Sequence, residues 1–288
     1  MALKKAARIG WCTWAAATTG LALACGSALA QPVAVVTDVQ GAATLAGAPG
    51  TPGAPVAMLQ QLDAGRKVDL TAGARVALIY YANGAQYELR GPGFVSVDAQ
   101  QPHASQGATV HARAAAGPAT MRLKPAGLVQ GAVVMRNLGL RVIAPDPQVL
   151  SMHPDLAWTD SRTGTVYDVA VIDASGARVF ETTTPERRVK VPEARSLVPG
   201  QSYALQVTAR IGSEVVQVAR AEFRVAPAEL QAQAKALAPA ADAAVSERVA
   251  YALWLEQNDL RDEARRRWAA VAAARPDQGS LRERADAR

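Results

Sequence analysis

The chain is poor in the residues that most chemistry is built from. It has 2 cysteines in 288 residues, Cys12 and Cys25, and both fall within the first thirty positions. Beyond residue 30 there is therefore no disulfide, no thiol nucleophile and no cysteine metal ligand. The 3 histidines are His103, His111 and His153. His103 and His111 sit in a loop-like stretch with no third ligand nearby and are read as exposed loop histidines rather than a metal pair. His153 has no nucleophile beside it in sequence, and no G-x-S-x-G elbow occurs. Gly91-Pro92-Gly93 lacks the helix start and Lys-Ser/Thr pair of a phosphate loop. Asp63, Asp69 and Asp98 fall on or beside turns, where Asp accepts backbone hydrogen bonds. No catalytic, cofactor-binding or metal-binding residue is assigned. Positive charge is modest: of the net +6, three charges sit on Lys4, Lys5 and Arg8. With no basic stripe interleaved with aromatics, a nucleic-acid partner is not expected.

Those three basic residues open a recognisable leader. An uncharged stretch runs from Ile9 to Ala30, with an apolar centre at 21–24, and closes on Ala28-Leu29-Ala30 before Gln31-Pro32. Small residues at Ala28 and Ala30 meet the rule for signal cleavage, so the mature chain is expected to begin at Gln31, in the periplasm. Two alternatives start from the same residues. Cys25 behind Leu23-Ala24 invites lipidation, although Ala22 stands where a large aliphatic residue is usual. The stretch is also long enough to span a bilayer uncleaved, although Gly10, Thr18, Thr19, Gly20, Gly26 and Ser27 dilute its hydrophobicity. Export holds in all three cases. Membrane contact is expected only if the segment is retained or Cys25 carries lipid.

From Val33 to about Val97 the pattern has period two. Val33, Val35 and Val39 alternate, glycine-rich turns follow, and Arg75–Tyr81 forms a strand that leads into Asn83-Gly84. That dipeptide predicts a tight type I′ hairpin with positive φ at both positions. Tyr80 and Tyr81 face opposite sides of their strand, one toward a core and the other toward a candidate binding face. Short strands punctuated by glycine predict a compact antiparallel sandwich or roll. The order of Leu62-Asp63-Ala64-Gly65, the strand ending in Asn83-Gly84, and Gly91-Pro92-Gly93 before Phe94-Val97 resembles a FecR-like periplasmic β domain. The resemblance implies a module and an address. FecR regulators carry a cytoplasmic region and a membrane helix ahead of this part, whereas here the β pattern follows the leader directly, so the sigma-factor role is not expected to carry over.

Residues 100–118 read as a loose connection with a candidate strand at 108–113, followed by β-like pieces at 128–135 and 138–143. A second β block runs from Pro154 to Val225. Trp158 before a strand at 166–172, and Pro199-Gly200-x-x-Tyr203 before a late strand, resemble a fibronectin type III or immunoglobulin-like sandwich, with Trp158 as the buried aromatic. From Pro227 the period becomes helical. One helix spans 228–237 and is stopped by Pro239; Ser246 is expected to cap a second, and a third runs to about Ala274. The spacing of Ala252, Leu255, Ala264, Trp268 and Pro276 resembles one tetratricopeptide repeat. A lone hairpin cannot bury its own face, so Trp268 and the basic run Arg265, Arg266 and Arg267 are candidate partner-binding residues. Asp262 and Glu263 oppose the run, which also reads as a solvated helical face.

The expected organisation is a leader (1–30), a FecR-like domain with connecting segment (31–145), an immunoglobulin/fibronectin III-like sandwich (146–226), a helical segment (227–278) and a charged tail (279–288). The fold class is mainly β: a β roll or sandwich plus an immunoglobulin-like sandwich, with a short C-terminal α-helical hairpin. The expected role is a non-catalytic scaffold or binding protein of the bacterial envelope, without cofactor, engaging an envelope protein or cell-wall glycan. The alternative is a periplasmic sensory component of a FecR-type signalling system.

Overall fold

In the computed structural model, residues 31–47, 53–113, 121–125 and 139–286 are described; Ala28, Ala30 and the β-like piece at 128–135 lie outside them. Ten strands form the first half: β1 (Pro32–Gln40), β2 (Ala43–Leu45), β3 (Ala54–Pro55), β4 (Gln61–Asp63), β5 (Arg66–Leu70), β6 (Arg75–Tyr80), β7 (Gln86–Arg90), β8 (Gly93–Val97), β9 (Pro102–Ser105) and β10 (Thr109–Arg113). They make two five-stranded sheets, ordered β10-β7-β6-β1-β4 and β3-β2-β5-β8-β9. Val36, Val76, Leu78, Tyr80 and Leu89 from the first sheet share one buried cluster with Val68, Leu70, Val95 and Val97 from the second.

The β6–β7 hairpin forms where Asn83-Gly84 predicts it, but it is not a type I′ turn. Of the two residues only Gly84 has positive φ, at 69°. Tyr80 N–H donates to Ala85 O at 3.0 Å, Gly84 N–H to Tyr80 O at 2.9 Å, and Ala85 N–H to Asn83 Oδ1 at 2.9 Å. The Asn side chain therefore closes a wider loop through an Asx-type bond.

The second half contains β11 (Arg141–Ala144), β12 (Gln148–Val149), β13 (Asp155–Thr159), β14 (Val166–Asp173), β15 (Arg178–Thr184), β16 (Arg188–Lys190), β17 (Ser202–Ile211) and β18 (Glu214–Val225). The sheets are β11-β13-β16 and β12-β18-β17-β14-β15, with the chain crossing between them as in immunoglobulin-like sandwiches. Trp158 is buried between the sheets, with its ring 5.3 Å from that of Tyr167 in an edge contact. At the corner before β17, the Tyr203 hydroxyl accepts from Val198 N–H at 2.9 Å, which fixes the turn as a tyrosine corner does.

Four helices follow: α1 (Ala228–Leu237), α2 (Val245–Gln257), α3 (Arg261–Ala274) and α4 (Gly279–Asp286). Among the described residues no helix is long and apolar enough to cross a membrane. The helices do not stand apart as a separate hairpin. α2 lies on the outer face of the sheet containing β1 and β6, and Val249 through Leu255 are all buried in the same cluster as the first sandwich. A helix buried all round is a central helix rather than a surface one. The sheet shows the same thing from its side, because Val76 through Tyr80 are buried on both faces. Tyr81, which the sequence offers as part of a binding face, is half-buried against this core. Burial pushes its hydroxyl up to about 12, despite nearby Arg284.

Three further expectations change for the same reason. Ser246 does not cap α2: it lies inside the helix, buried, and its Oγ accepts from Arg113 at 2.7 Å, while Ala244 occupies the cap without a side-chain bond. The tail after Gln278 is not merely charged but forms α4, with Leu281 fully buried. The connection read as loose over 100–118 carries β9 ahead of the expected strand β10, and residues 121–125 pack on the same core. Met121 and Leu123 are buried, and Gln257 pairs with Lys124 N–H and C=O at 2.7 Å each. The first core thus extends beyond residues 31–145 into 226–281, while the second core occupies 140–225.

Candidate interaction surfaces

Trp268, the leading partner-binding candidate, does not reach the surface. It is 0% exposed, its Nε1–H donates to Glu256 Oε1 at 2.7 Å, and Arg284 lies over its ring at 5.6 Å. The helical face that carries it is closed by α2 and α4, so no partner is needed to bury it. The three arginines disperse. Arg265 bonds Asp262, Arg266 pairs with Glu263 at 3.2 Å, and Arg267 stacks 5.4 Å above Tyr251. Each is compensated locally, and they do not act as one basic patch. Gln31 is exposed at the start of the described chain.

The histidines have separate neighbours. His103 Nε2 is 3.2 Å from Asp98, and His111 stands on β10 opposite Glu88. His153 has a partner that sequence spacing could not show, since Ser196 Oγ lies 2.7 Å from its Nε2. The same hydroxyl reaches Glu193 O at 3.1 Å. The hydroxyl proton goes to that carbonyl or to the imidazole according to the His153 tautomer.

Among the described residues, two open surfaces offer the most room. The first is the outer face of the β12-β18-β17-β14-β15 sheet. Inward Tyr203, Leu205, Val207 and Ala209 alternate with outward residues, and the register lays Thr183, Asp168, Thr208 and Val218 in one row. Glu181, Ala170, Gln206 and Arg220 form the next. The small side chains of Ala170 and Ala204 leave two shallow depressions of about 420 and 410 Å³ between longer polar neighbours. Asp168 accepts from Thr183 Oγ1 at 2.8 Å and from Arg210 at 3.0 Å, and these two contacts hold its carboxyl below the usual range. Beside this face runs the outer edge of β18, paired with β12 only at Arg224 and Val225 and carrying exposed Val215 and Val218.

The second is the mouth of the first sandwich, where the β6–β7 and β8–β9 hairpins leave a depression of about 440 Å³ lined by Asn83, Tyr87, Asp98, Gln100, Gln101 and His103. Asn83 Nδ2 reaches Gln100 O at 3.4 Å and links the two hairpins. Among the described residues, no group of three or more His, Cys, Asp or Glu side chains could hold a metal ion.

No protein-family model matches the chain, and no curated protein sequence matches it. Solved structures similar to parts of it include fibronectin type III segments, a biofilm associated protein domain and a β-glucuronidase from Ruminococcus gnavus (11% identical, covering 67% of this chain and 45% of that one, TM-score 0.24). FN3tt is 19% identical, covering 30% of this chain and 90% of that one, with a TM-score of 0.21. A segment of two fibronectin type III domains from chicken tenascin is 14% identical, covering 67% and 93%, with a TM-score of 0.23. The BSP domain of a biofilm associated protein is 15% identical, covering 69% of this chain but only 29% of that one, with a TM-score of 0.22. At such scores the architecture rests on the strand order and the tyrosine corner themselves. They define a mainly β protein of two sandwiches with a C-terminal helical layer.

Proposed function

We propose that this protein is an exported, non-catalytic binding scaffold of the bacterial cell envelope that engages a protein or glycan through its β modules. In this reading 1–30 is a cleaved signal, the first sandwich is a FecR-like module, and α2–α3 is a single tetratricopeptide-like unit recruited as its outer layer. The near-complete burial of Ala252, Leu255, Ala264 and Trp268 at the helix contacts supports the last point.

The observation that carries the reading is the uncovered sheet face around Asp168, Gln206 and Arg220. It is regular, rigidly backed and rich in groups that make hydrogen bonds, yet it holds no activated nucleophile or base. Rigid faces of this kind favour recognition, because little side-chain or loop ordering is needed on binding. Photo-crosslinking tests it. A benzophenone amino acid placed at Thr208 or Gln206 should capture a discrete envelope component in cells, and the same group at Arg141 on the opposite sheet should not. Equal labelling from all three positions, or none from any, refutes the assignment.

A further inference from the structure

We propose that the mouth of the first sandwich is a saccharide site that takes a neutral pyranose unit, with Tyr87 as the stacking ring and Asp98 as the hydroxyl acceptor. The inference rests on the binding-module reading and gives it a ligand class.

Tyr87 is half-buried on β7, its ring centroid 5.5 Å from that of Tyr80 at an interplanar angle of 79°. Tyr80 itself is 0% exposed, so the ring it braces is held in place. Around Tyr87 stand side chains that each offer several bonds. Asn83 and the two glutamines supply both donors and acceptors, His103 offers one of each when neutral, and Asp98 only accepts. That set matches a sugar, whose hydroxyls donate and accept around the ring edge while its C–H faces are apolar. The lining also excludes alternatives. It contains no Arg or Lys, so phosphate, sulfate or uronate groups would meet the Asp98 carboxylate without compensation. Its largest aliphatic side chain is that of Ala99, so it offers no pocket for a large apolar peptide side chain. The volume of about 440 Å³ lies in the range of about 300–1,000 Å³ usual for small-ligand sites.

The mouth is also preorganised. Asn83 Oδ1 is fixed by Ala85 N–H at 2.9 Å, Asp98 N–H donates to Gln101 O at 3.2 Å, and His103 is held 3.2 Å from Asp98. Behind Tyr87, the Tyr80 hydroxyl is buried and has no hydrogen-bond partner among the described residues.

Amide chemical shifts of the full mature chain, titrated with cellotriose, with triacetylchitotriose and with a sulfated heparin disaccharide, decide the matter. At least one neutral probe should shift the amides of Asn83, Ala99, Gln100 and Gln101, and the sulfated probe should not. Tyr87→Leu and Asp98→Asn should each weaken the response about tenfold or more, a change of about 1.4 kcal/mol. Asp98 is exposed, so the second variant preserves the fold. Silence of these amides toward both neutral probes, an equal response to the sulfated probe, or a response that survives both variants overturns the inference. Capture of a partner at Thr208 or Gln206 alongside an inert mouth would overturn it alone and leave the binding-module reading standing.

Discussion

Replacing Trp268 with alanine tests whether the C-terminal helices belong to the first sandwich or merely lean on it. The indole is fully buried. An aromatic side chain of this kind buries about 150–250 Å², which at about 25 cal/mol per Å² corresponds to ~4–6 kcal/mol. Measured truncations of buried Phe and Trp cost about 3–5 kcal/mol. Glu256 would lose its indole donor, but its side chain is 31% exposed and keeps Arg284, so little is added. A loss of about 4 kcal/mol is therefore expected, a large share of a total stability of about 5–15 kcal/mol. Urea unfolding followed by far-UV circular dichroism measures the loss, and hydrogen exchange locates it. Because Trp268 shares a core with Val76, Leu78 and Tyr80, amides of β6 should exchange faster together with those of α2 and α3. Amides of 203–209, in the other core, should respond less. A loss below about 1 kcal/mol, typical of surface sites, or faster exchange confined to the helices, would refute the shared core.

Trp158→Ala should cost a similar ~3–5 kcal/mol, but its effect on exchange should centre on 203–209, since Trp158 belongs to the second core; an effect centred on β6 would contradict the division. Glu263, in α3, has its carboxyl raised, first by burial and also by the Asp146 charge, against the opposing effects of Arg266 and Leu150 N–H. A raised folded pKa means that its contribution is intact below the unfolded value of about 4.3 and is lost as pH rises through the folded value. The unfolding free energy should therefore decline toward neutral pH in the wild type and decline less in Glu263→Gln, and identical pH slopes would dispose of the idea. The intact mass of the envelope form should correspond to a chain beginning at Gln31; an unprocessed mass, or a diacylated chain beginning at Cys25, would reject cleavage after Ala30.

The parts of the fold legible in the sequence are those governed by local rules. Trp158, the corner at Pro199-Gly200, the β6–β7 hairpin and the stop at Pro239 all follow from single residues whose preferences are strong. The layering was written there too, but in a different signal. Val76-Ala77-Leu78-Ile79-Tyr80 is apolar without alternation, and Val249-Ala250-Tyr251-Ala252-Leu253-Trp254-Leu255 is apolar around the whole helix. Each run indicates an element covered on all sides, and each is the other's cover. Reading them separately leaves the helix in need of a partner and Trp268 as its anchor. Reading them together supplies the partner within the chain. Arg113 with Ser246, and Asn83 with Gln100 at the sandwich mouth, are pairings by tertiary contact that no spacing encodes.

The shared core also changes what the helices are for. The first core takes in Met121 and Leu123 before the second sandwich and resumes at Ala226 after it, so the second sandwich is an insertion in a domain completed by α1–α4. Its entry and exit are bound together: β12 pairs in parallel with the end of β18, and Ala226 N–H donates to Val149 O at 2.8 Å. Closely spaced ends are what allow one domain to sit inside another. The insertion is further tied to the helical layer by Gln148 Nε2, which donates to Asn258 O at 2.9 Å. A domain tethered at both ends and braced on a third side retains less orientational freedom than one on a single linker. The helices therefore act as a mount that fixes one sandwich relative to the other while leaving β surfaces of both uncovered.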